Sequence, residues 1–405
     1  MVEDKLRLLL LKGSLTTRAQ RFILANTADV HDEQSRIGKV SIMFGATKSA
    51  YERALQSHKR HNRQHGYPMF IQRVDVMDGF WTKPAFIHYM ILRELRKPES
   101  QRLQWLFWFD ADTVVLNYNV PLEIFLPPEN DETLNKINVL VADDWNGLNN
   151  GIFGIRVTQW AAELFAGILA FRDFEPDTHL SFADQSAMEI LLKKRKGVNH
   201  VGKVPQRWFN AYPTDDENPQ DPWVHPGDFL VHFAGRPNRE THMNHWLDIS
   251  EQLLEKWNKP LTQTTYLEEI KQFWNHTKTV QEARKNRWEK ETEHLQTALK
   301  NAIITLNNTP KNDTPSYQSM VQALKEAEDY KKKIQKYKGD FMKEDLHRIK
   351  EVKQKLNEAS KVLSDDAAKT QAALEEQRKK EEEKKKEEGA QQRKEHDSGG
   401  TNGVP

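Results

Sequence analysis

All eleven tryptophans of this 405-residue chain lie between Trp81 and Trp288, and the one phenylalanine beyond Trp288 is Phe341. Large aromatic side chains dominate core burial, so a packed domain should end by about residue 260–290 and the rest must be built differently. Past that point Lys, Glu, Gln and Ala prevail, and apolar residues recur at spacings of three and four, as in Leu295, Leu299, Ala302 and Leu306, or Leu346, Ile349, Leu356 and Leu363. That spacing predicts helices, and Pro310 and Pro315 break them within 307–316. No heptad is sustained, so a helical hairpin, a loose coiled coil and a partly disordered arm all fit the pattern. The stretch 375–397 is low-complexity charge, expected to be solvated and mobile. The expected division is an N-terminal segment over 1–37, an α/β domain over 38–260, a helical or coiled-coil-like extension over 261–370 and a charged, disordered tail over 371–405.

Lys and Arg total 60 against 59 Asp and Glu, a net charge of +1. This balance lacks the basic excess of a general nucleic-acid binder. With no cysteine, disulfides, thiolate-ligated metals and thiol nucleophiles are excluded. The most apolar N-terminal stretch, Leu8 to Leu11, sits between Arg7 and Lys12 and is far shorter than the ~20 residues of a spanning helix. On this pattern the chain reads as soluble.

Within the first 260 residues, strand-like and helix-like segments alternate. Strands are expected at Lys39–Phe44, Met69–Val76, Leu103–Phe109, Val139–Ala142 and Gly151–Val157, with helices over 49–67, from Thr82, and over 158–172. The alternation argues for an α/β domain with a largely parallel sheet, whose ligands bind beyond the carboxyl ends of the strands.

One such end is unusual. Trp105 to Phe109 is an unbroken apolar run that stops at Asp110-Ala111-Asp112. Residues i and i+2 share a face of an extended chain, so both carboxylates can point to one place. Two hard oxygen ligands with open positions suit a divalent cation bridging a diphosphate. A solvated loop start explains a bare Asp-x-Asp equally simply. Two further segments are ambiguous. Asn149-Asn150-Gly151 reads as an Asn-Gly turn or as amides and a close backbone approach to a sugar, with Asp144 and Asn149 the favoured contacts. Ser181-x-x-Asp184 reads as a capping box or as part of a site.

Several segments in order resemble one family: the Asp110-Ala111-Asp112 turn, WNGLNNGIFGIR (Trp145 to Arg156), ADQSA (Ala183 to Ala187), VPQRWFNAY (Val204 to Tyr212) and GDFLVHFAG (Gly227 to Gly235). Together they resemble the retaining glycosyltransferases of family 34, which include fungal α-galactosyltransferases, subunits of the fungal α-1,6-mannosyltransferase complex and plant xyloglucan xylosyltransferases. The resemblance covers about 38–250. It implies a GT-A-type, Rossmann-like nucleotide-sugar-binding domain, a nucleotide-sugar donor, a glycan or polysaccharide acceptor, Mn²⁺ and a Golgi location. UDP-galactose is the favoured donor, GDP-mannose the next and UDP-xylose the third.

By the same resemblance, Asp110, Asp112 and His232 are the metal ligands, and Asp184 and Gln185 stand beside the reacting carbon. Gly45, Ala46 and Thr47 lie where such folds hold the base, and Lys83 and Arg236 are candidates for the diphosphate. Arg207 is as readily a structural ion pair as a phosphate ligand. The chain departs from the family at Ala183, where plant members carry Asp, and its first residues do not match the family's usual N-terminal anchor. The alternative functions are a catalytically silent scaffold subunit, assembled through residues 290–370 with a protein partner or a second copy, and a metal-dependent phosphohydrolase using the same acidic pair.

Overall fold

The computed structural model describes residues 35–398, apart from 46–47, 195–196, 198, 216–221, 312–313 and 338–341. Ala46 and Thr47, the N-terminal segment 1–34 and Phe341 therefore lie outside the described residues. The chain divides into two compact units, 1–282 and 283–405.

The first unit is built on a six-stranded sheet in the order β2-β1-β3-β6-β5-β7. Its strands are β1 (Ile37–Ile42), β2 (Met69–Gln72), β3 (Trp105–Phe109), β5 (Val139–Asp144), β6 (Gly147–Arg156) and β7 (Val201–Lys203). A second, two-stranded sheet joins β4 (Thr113–Val115) to β8 (Leu230–His232). The large sheet is mixed rather than largely parallel: β6 runs antiparallel to both β3 and β5. The reason is the hairpin between β5 and β6, where Asp144 pairs with Gly147 and only Trp145 and Asn146 remain in the loop. Gly147 has φ +100°, which a residue without a Cβ adopts freely. The turn expected at Asn150-Gly151 is thus at 145–146, and Asn149, Asn150 and Gly151 lie inside a ten-residue strand.

Helices α1 (Ser49–His65), α2 (Thr82–Leu95), α3 (Gln159–Phe174), α4 (Ala183–Lys193) and α5 (Arg239–Gln252) cover this unit, followed by the one-turn α6 (Leu254–Trp257). Helix α3 starts where Thr158 caps it, its side chain accepting from the Ala161 N–H. One core cluster gathers Val40, Trp108 and Phe153 with the apolar faces of α2, α3 and α4. Another joins Phe107, Phe109, Trp208 and Phe229 to Tyr266, Ile270 and Trp274 at the start of α7 (Tyr266–Asn308). Strand β3 is buried at every position because helices or chain cover both of its faces. The same holds for Phe229 to Phe233, which are buried at every position.

Under β1 the core holds a group of bases. Lys39 is fully buried; its Nζ lies 2.8 Å from His61 Nδ1 and over the rings of Phe109, Phe229 and Tyr67. His61 donates from Nε2 to the Val120 carbonyl at 2.8 Å, which leaves Nδ1 to accept from the lysine. His58 stands 2.9 Å from Thr113 Oγ1, and the His65 ring packs on His61. Burial holds Lys39, His58 and His61 well below their ordinary values, Lys39 adding to the effect on both histidines.

The second unit comprises the later part of α7, α8 (Pro315–Gln335) and α9 (Lys343–Ser398). Thr314 caps α8, with Pro315 at its first position. Trp288, Leu295, Met320, Leu324, Ile349 and Leu356 form a common core. Tyr330 Oη donates to the Asp345 carbonyl, and Glu326 pairs with Arg348 and Lys355, which sets α8 antiparallel to α9. Beyond the core the helix continues through the stretch expected to be a disordered tail. Residues 371–390 are exposed on all sides, yet Glu and Lys are good helix formers and pair at i,i+4, as in Glu376–Lys380 at 2.6 Å. No helix among the described residues is long and apolar enough to cross a membrane.

The buried bases make the fold sensitive to acid. Groups with depressed folded pKa values bind more protons when unfolded, so stability rises with pH. The histidine contribution is present above about pH 6.5 and lost as pH falls below it. The thermal midpoint of the first unit, followed by circular dichroism, should drop by about 3–6 °C between pH 7.5 and 5.5. Lys39→Met should flatten the further rise between pH 7.5 and 9.5; an unaltered slope would contradict a neutral-favouring lysine site.

Candidate active site

Strand β3 ends at Phe109, and 110–112 turn the chain from the large sheet into β4 of the small one. The two carboxylates therefore sit on a turn, not on one face of an extended strand. They meet the histidine because β4 pairs with β8 in a register that sets Thr113 opposite His232. One ligand atom each of Asp110, Asp112 and His232 then falls within 4.8 Å of the others.

Each member is held. Asp110 Oδ1 accepts from Trp108 Nε1 at 2.6 Å and from Lys83 Nζ at 3.2 Å. Asp112 Oδ2 faces Arg239 Nη1 at 3.2 Å, and its Oδ1 faces His232 Nε2 at 3.5 Å. Burial works against ionisation of Asp112, but His232 and Arg239 together hold its carboxyl below the usual range. His232 Nδ1 donates to Asn210 Oδ1 at 2.7 Å, which turns the lone pair of Nε2 toward the carboxylates. Two carboxylates and an imidazole nitrogen aimed at one point suit a divalent ion of the Mn²⁺ type. The donor set fits such an ion.

Gly151 is what admits the histidine. A Cβ there would lie 2.2 Å from His232 Cε1 and 3.0 Å from Asn149 Oδ1. Its small size thus serves a ring of the protein itself rather than the approach of a sugar, and it needs no left-handed backbone.

A cavity of about 1010 Å³ opens beside the cluster, lined among others by Phe44, Phe80, Asp112, Asn150, Gln185 and Arg239. Gly45 follows Phe44 with φ +92° and open space around it. Lys83 is buried in the wall of the cavity, where its ammonium donates to Asn150 Oδ1 (2.9 Å) and to the Asn150 carbonyl (2.5 Å) as well as to Asp110. Asn150 in turn donates from Nδ2 to Asp184 Oδ2 at 2.9 Å and from its backbone N–H to Gln185 Oε1 at 3.0 Å. Asp184 is buried, and burial raises its pKa, with Asp110 adding to the rise and Lys83 opposing it. The capping box does not form: α4 is capped at Phe182 without a side-chain bond, and Ala183 enters the helix at φ +45°. A non-glycine residue there is strained by about 1–3 kcal/mol, and Asp tolerates such a backbone better than Ala.

Three expected contacts lie elsewhere. Asp144 Oδ2 accepts from Asn149 Nδ2 (2.8 Å) and Tyr212 Oη (2.6 Å), so that pair braces the hairpin and does not line the cavity. Asn149 faces His232 because side chains alternate along β6; its neighbour Asn150 faces the cavity. Arg236 donates to the Pro213 carbonyl at 2.5 Å, and Arg239, three residues on, takes the place beside Asp112. Arg207 is buried in an ion pair with Asp228 and Glu269. Sequence reasoning missed Asn150 and Arg239. The signal for Asn150 was strand alternation read with the correct strand limits; Arg239 gave none, since it opens a polar helix.

Gly151→Ala should therefore displace the His232 ring and weaken binding of Mn²⁺ at least tenfold, measured by titration of the metal signal, while far-ultraviolet circular dichroism stays native. Unchanged affinity would remove His232 from the ligand set.

The sequence model of the galactosyl transferase GMA12/MNN10 family matches residues 45–243. A probable alpha-1,2-galactosyltransferase of Schizosaccharomyces pombe is 29% identical over 40% of this chain and 54% of its own length. Xyloglucan 6-xylosyltransferase 2 of Arabidopsis thaliana is 28% identical over 33% of this chain and 32% of its own. The chain thus spans about half the length of the fission-yeast relative. A solved glycosyltransferase involved in glycosylation of the major capsid of PBCV-1 is 16% identical, with a TM-score of 0.40, over 52% of this chain and 98% of that one. Over residues 45–243, this chain is similar to the galactosyl transferase GMA12/MNN10 family.

Proposed function

We propose that the chain is a retaining hexosyltransferase that moves galactose from UDP-galactose to a glycan acceptor, forming an α-glycosidic bond in the Golgi. The observation that carries the reading is the Asp110–Asp112–His232 cluster at the edge of a cavity large enough for a nucleotide sugar. The galactosyltransferase names of the yeast relatives favour galactose as the transferred sugar. Phe44 and Phe80, the latter strongly exposed, offer ring faces for a base. Asp110, Asp112 and His232 would hold Mn²⁺, which supplies charge neutralisation for the departing diphosphate.

Arg239 completes that end. One of its nitrogens pairs with Asp112, while its buried Nε finds no acceptor among the described residues, a donor suited to a phosphate oxygen. At the other end, Asn150 fixes Asp184 and Gln185 as a unit. Gln185 would present its amide to the sugar as positive charge develops, and Asp184 would orient the incoming acceptor hydroxyl, whose proton leaves toward the diphosphate oxygen. Lys83, in the wall of the cavity, offsets the charge of Asp110 and positions Asn150.

The complete Asp110–Asp112–His232 set favours this catalytic reading over a silent scaffold assembled through 290–370.

Incubating the chain with UDP-galactose, GDP-mannose and UDP-xylose, with and without Mn²⁺, tests the reading. UDP release should be Mn²⁺-dependent and fastest from UDP-galactose. It should fall at least 100-fold in Asp112→Ala and about 10- to 100-fold in Gln185→Ala, and proton NMR should show an α-linked product. Equal, metal-independent release from all donors, or a β-linked product, would refute it.

A further inference from the structure

The β5–β6 hairpin carries a residue its turn does not require. Positive φ falls on Gly147 and on neither loop residue, so the turn admits most side chains at its first position; that position is Trp145, 69% exposed. The indole does not stand alone. Its ring centroid lies 4.9 Å from Tyr212 and 6.5 Å from Trp223, and Tyr212 is 6.4 Å from Trp223. Tyr212 is buried and fixed by its hydroxyl, which donates to Asp144 and accepts from Asn149 Nδ2 at 3.1 Å. The opposite neighbour of Tyr212 is His232, at 6.3 Å between centroids. An exposed aromatic surface is thus continuous, through one shared ring, with the acidic cluster. It lies outside the cavity assigned to the donor, which Trp145 and Trp223 do not line.

We propose that Trp145, backed by Tyr212 and flanked by Trp223, is the acceptor platform: a subsite on which a hexopyranose of an oligosaccharide stacks its apolar C–H face. This rests on the transferase reading for its purpose but not for its detection. The chemistry rests on three features. A flat indole held by packing from behind offers apolar area at little entropic cost. Polar groups flank it, with Asn146 exposed beside it and Asp144 bonded to the Tyr212 hydroxyl at 2.6 Å, which suits a ligand that is apolar on its ring faces and hydroxylated at its edge. The third is position: one shared ring, Tyr212, stands between Trp145 and His232 of the acidic cluster. Phe174, more exposed still, ends a helix and appears in no ring pair among the described residues, as scattered surface apolar residues do.

The test is binding of oligosaccharide to the full chain with neither donor nor metal present. Isothermal titration with α-1,6-linked mannotetraose and, as the β-linked arm, cellotetraose should show binding of at least one. Trp145→Ala should weaken it tenfold or more, and Trp145→Phe, which keeps a ring, by no more than about threefold. Asp112→Ala should bind the oligosaccharide as wild type does. Failure of the transferase reading would leave these affinities intact. Absence of binding to the wild-type chain, equal affinity in Trp145→Ala, or a sedimentation change in Trp145→Ala that marks the rings as a protein interface would each overturn the proposal.

Discussion

Two carboxylates and a histidine cannot be crowded to within 4.8 Å in a largely buried place unless their charge is answered, and much of the first unit is arranged around that answer. Lys83 comes up from α2 to Asp110, and Arg239 comes from α5 to Asp112. Trp108 donates to Asp110 from the strand that precedes the turn. These partners use one oxygen of Asp110; among the described residues the other accepts no bond, and the lone pair of His232 Nε2 faces the carboxylates. The result is a preformed site: the protein's own cations hold the acids in position, and a divalent ion would complete it.

Register is the means by which distant parts of the sequence reach this point. The three residues of β4 would contribute little alone, but pairing with β8 brings His232 across from Thr113, which is bonded both to the Asp110 carbonyl and to His58. A shift of one residue would turn His232 to the other face. Gly151 then leaves room for the imidazole, and Asn210 orients it. Behind β4, the buried group of Lys39, His58 and His61 ties this side of the site to α1, and the bond from Lys39 to His61 Nδ1 needs that ring unprotonated. The chemistry of the pocket and the acid sensitivity of the fold therefore share a foundation.

Much of this architecture is legible in the residues alone. The apolar run ending at Asp110 announces a strand and a site, because nothing but function or solvent explains two acids there. The confinement of tryptophan to 81–288 marks where the large core stops. What stays hidden in the sequence is geometric. The Asn150-Gly151 pair suggests a turn, but the hairpin forms at the earlier Asn146-Gly147 pair, to which the same rule applies. With the strand limits wrong, Asn149 is favoured over Asn150, although one faces each side of the sheet. Arg236 and Arg239 differ only in which way a helix start points them, which no spacing rule supplies. The charged end of α9 misleads for a related reason: its Glu and Lys residues deny it a core but support a helix locally.

The central claim is that Asp110, Asp112 and His232 form one divalent-cation site that anchors the diphosphate of a sugar nucleotide. A crystal structure of the chain with Mn²⁺ and UDP, with data collected at the manganese absorption edge, tests it most directly. The account predicts one strong anomalous peak touching all three side chains, with diphosphate oxygens on its far side toward Arg239. A peak elsewhere, or UDP bound in the cavity with no metal at this cluster, would contradict it.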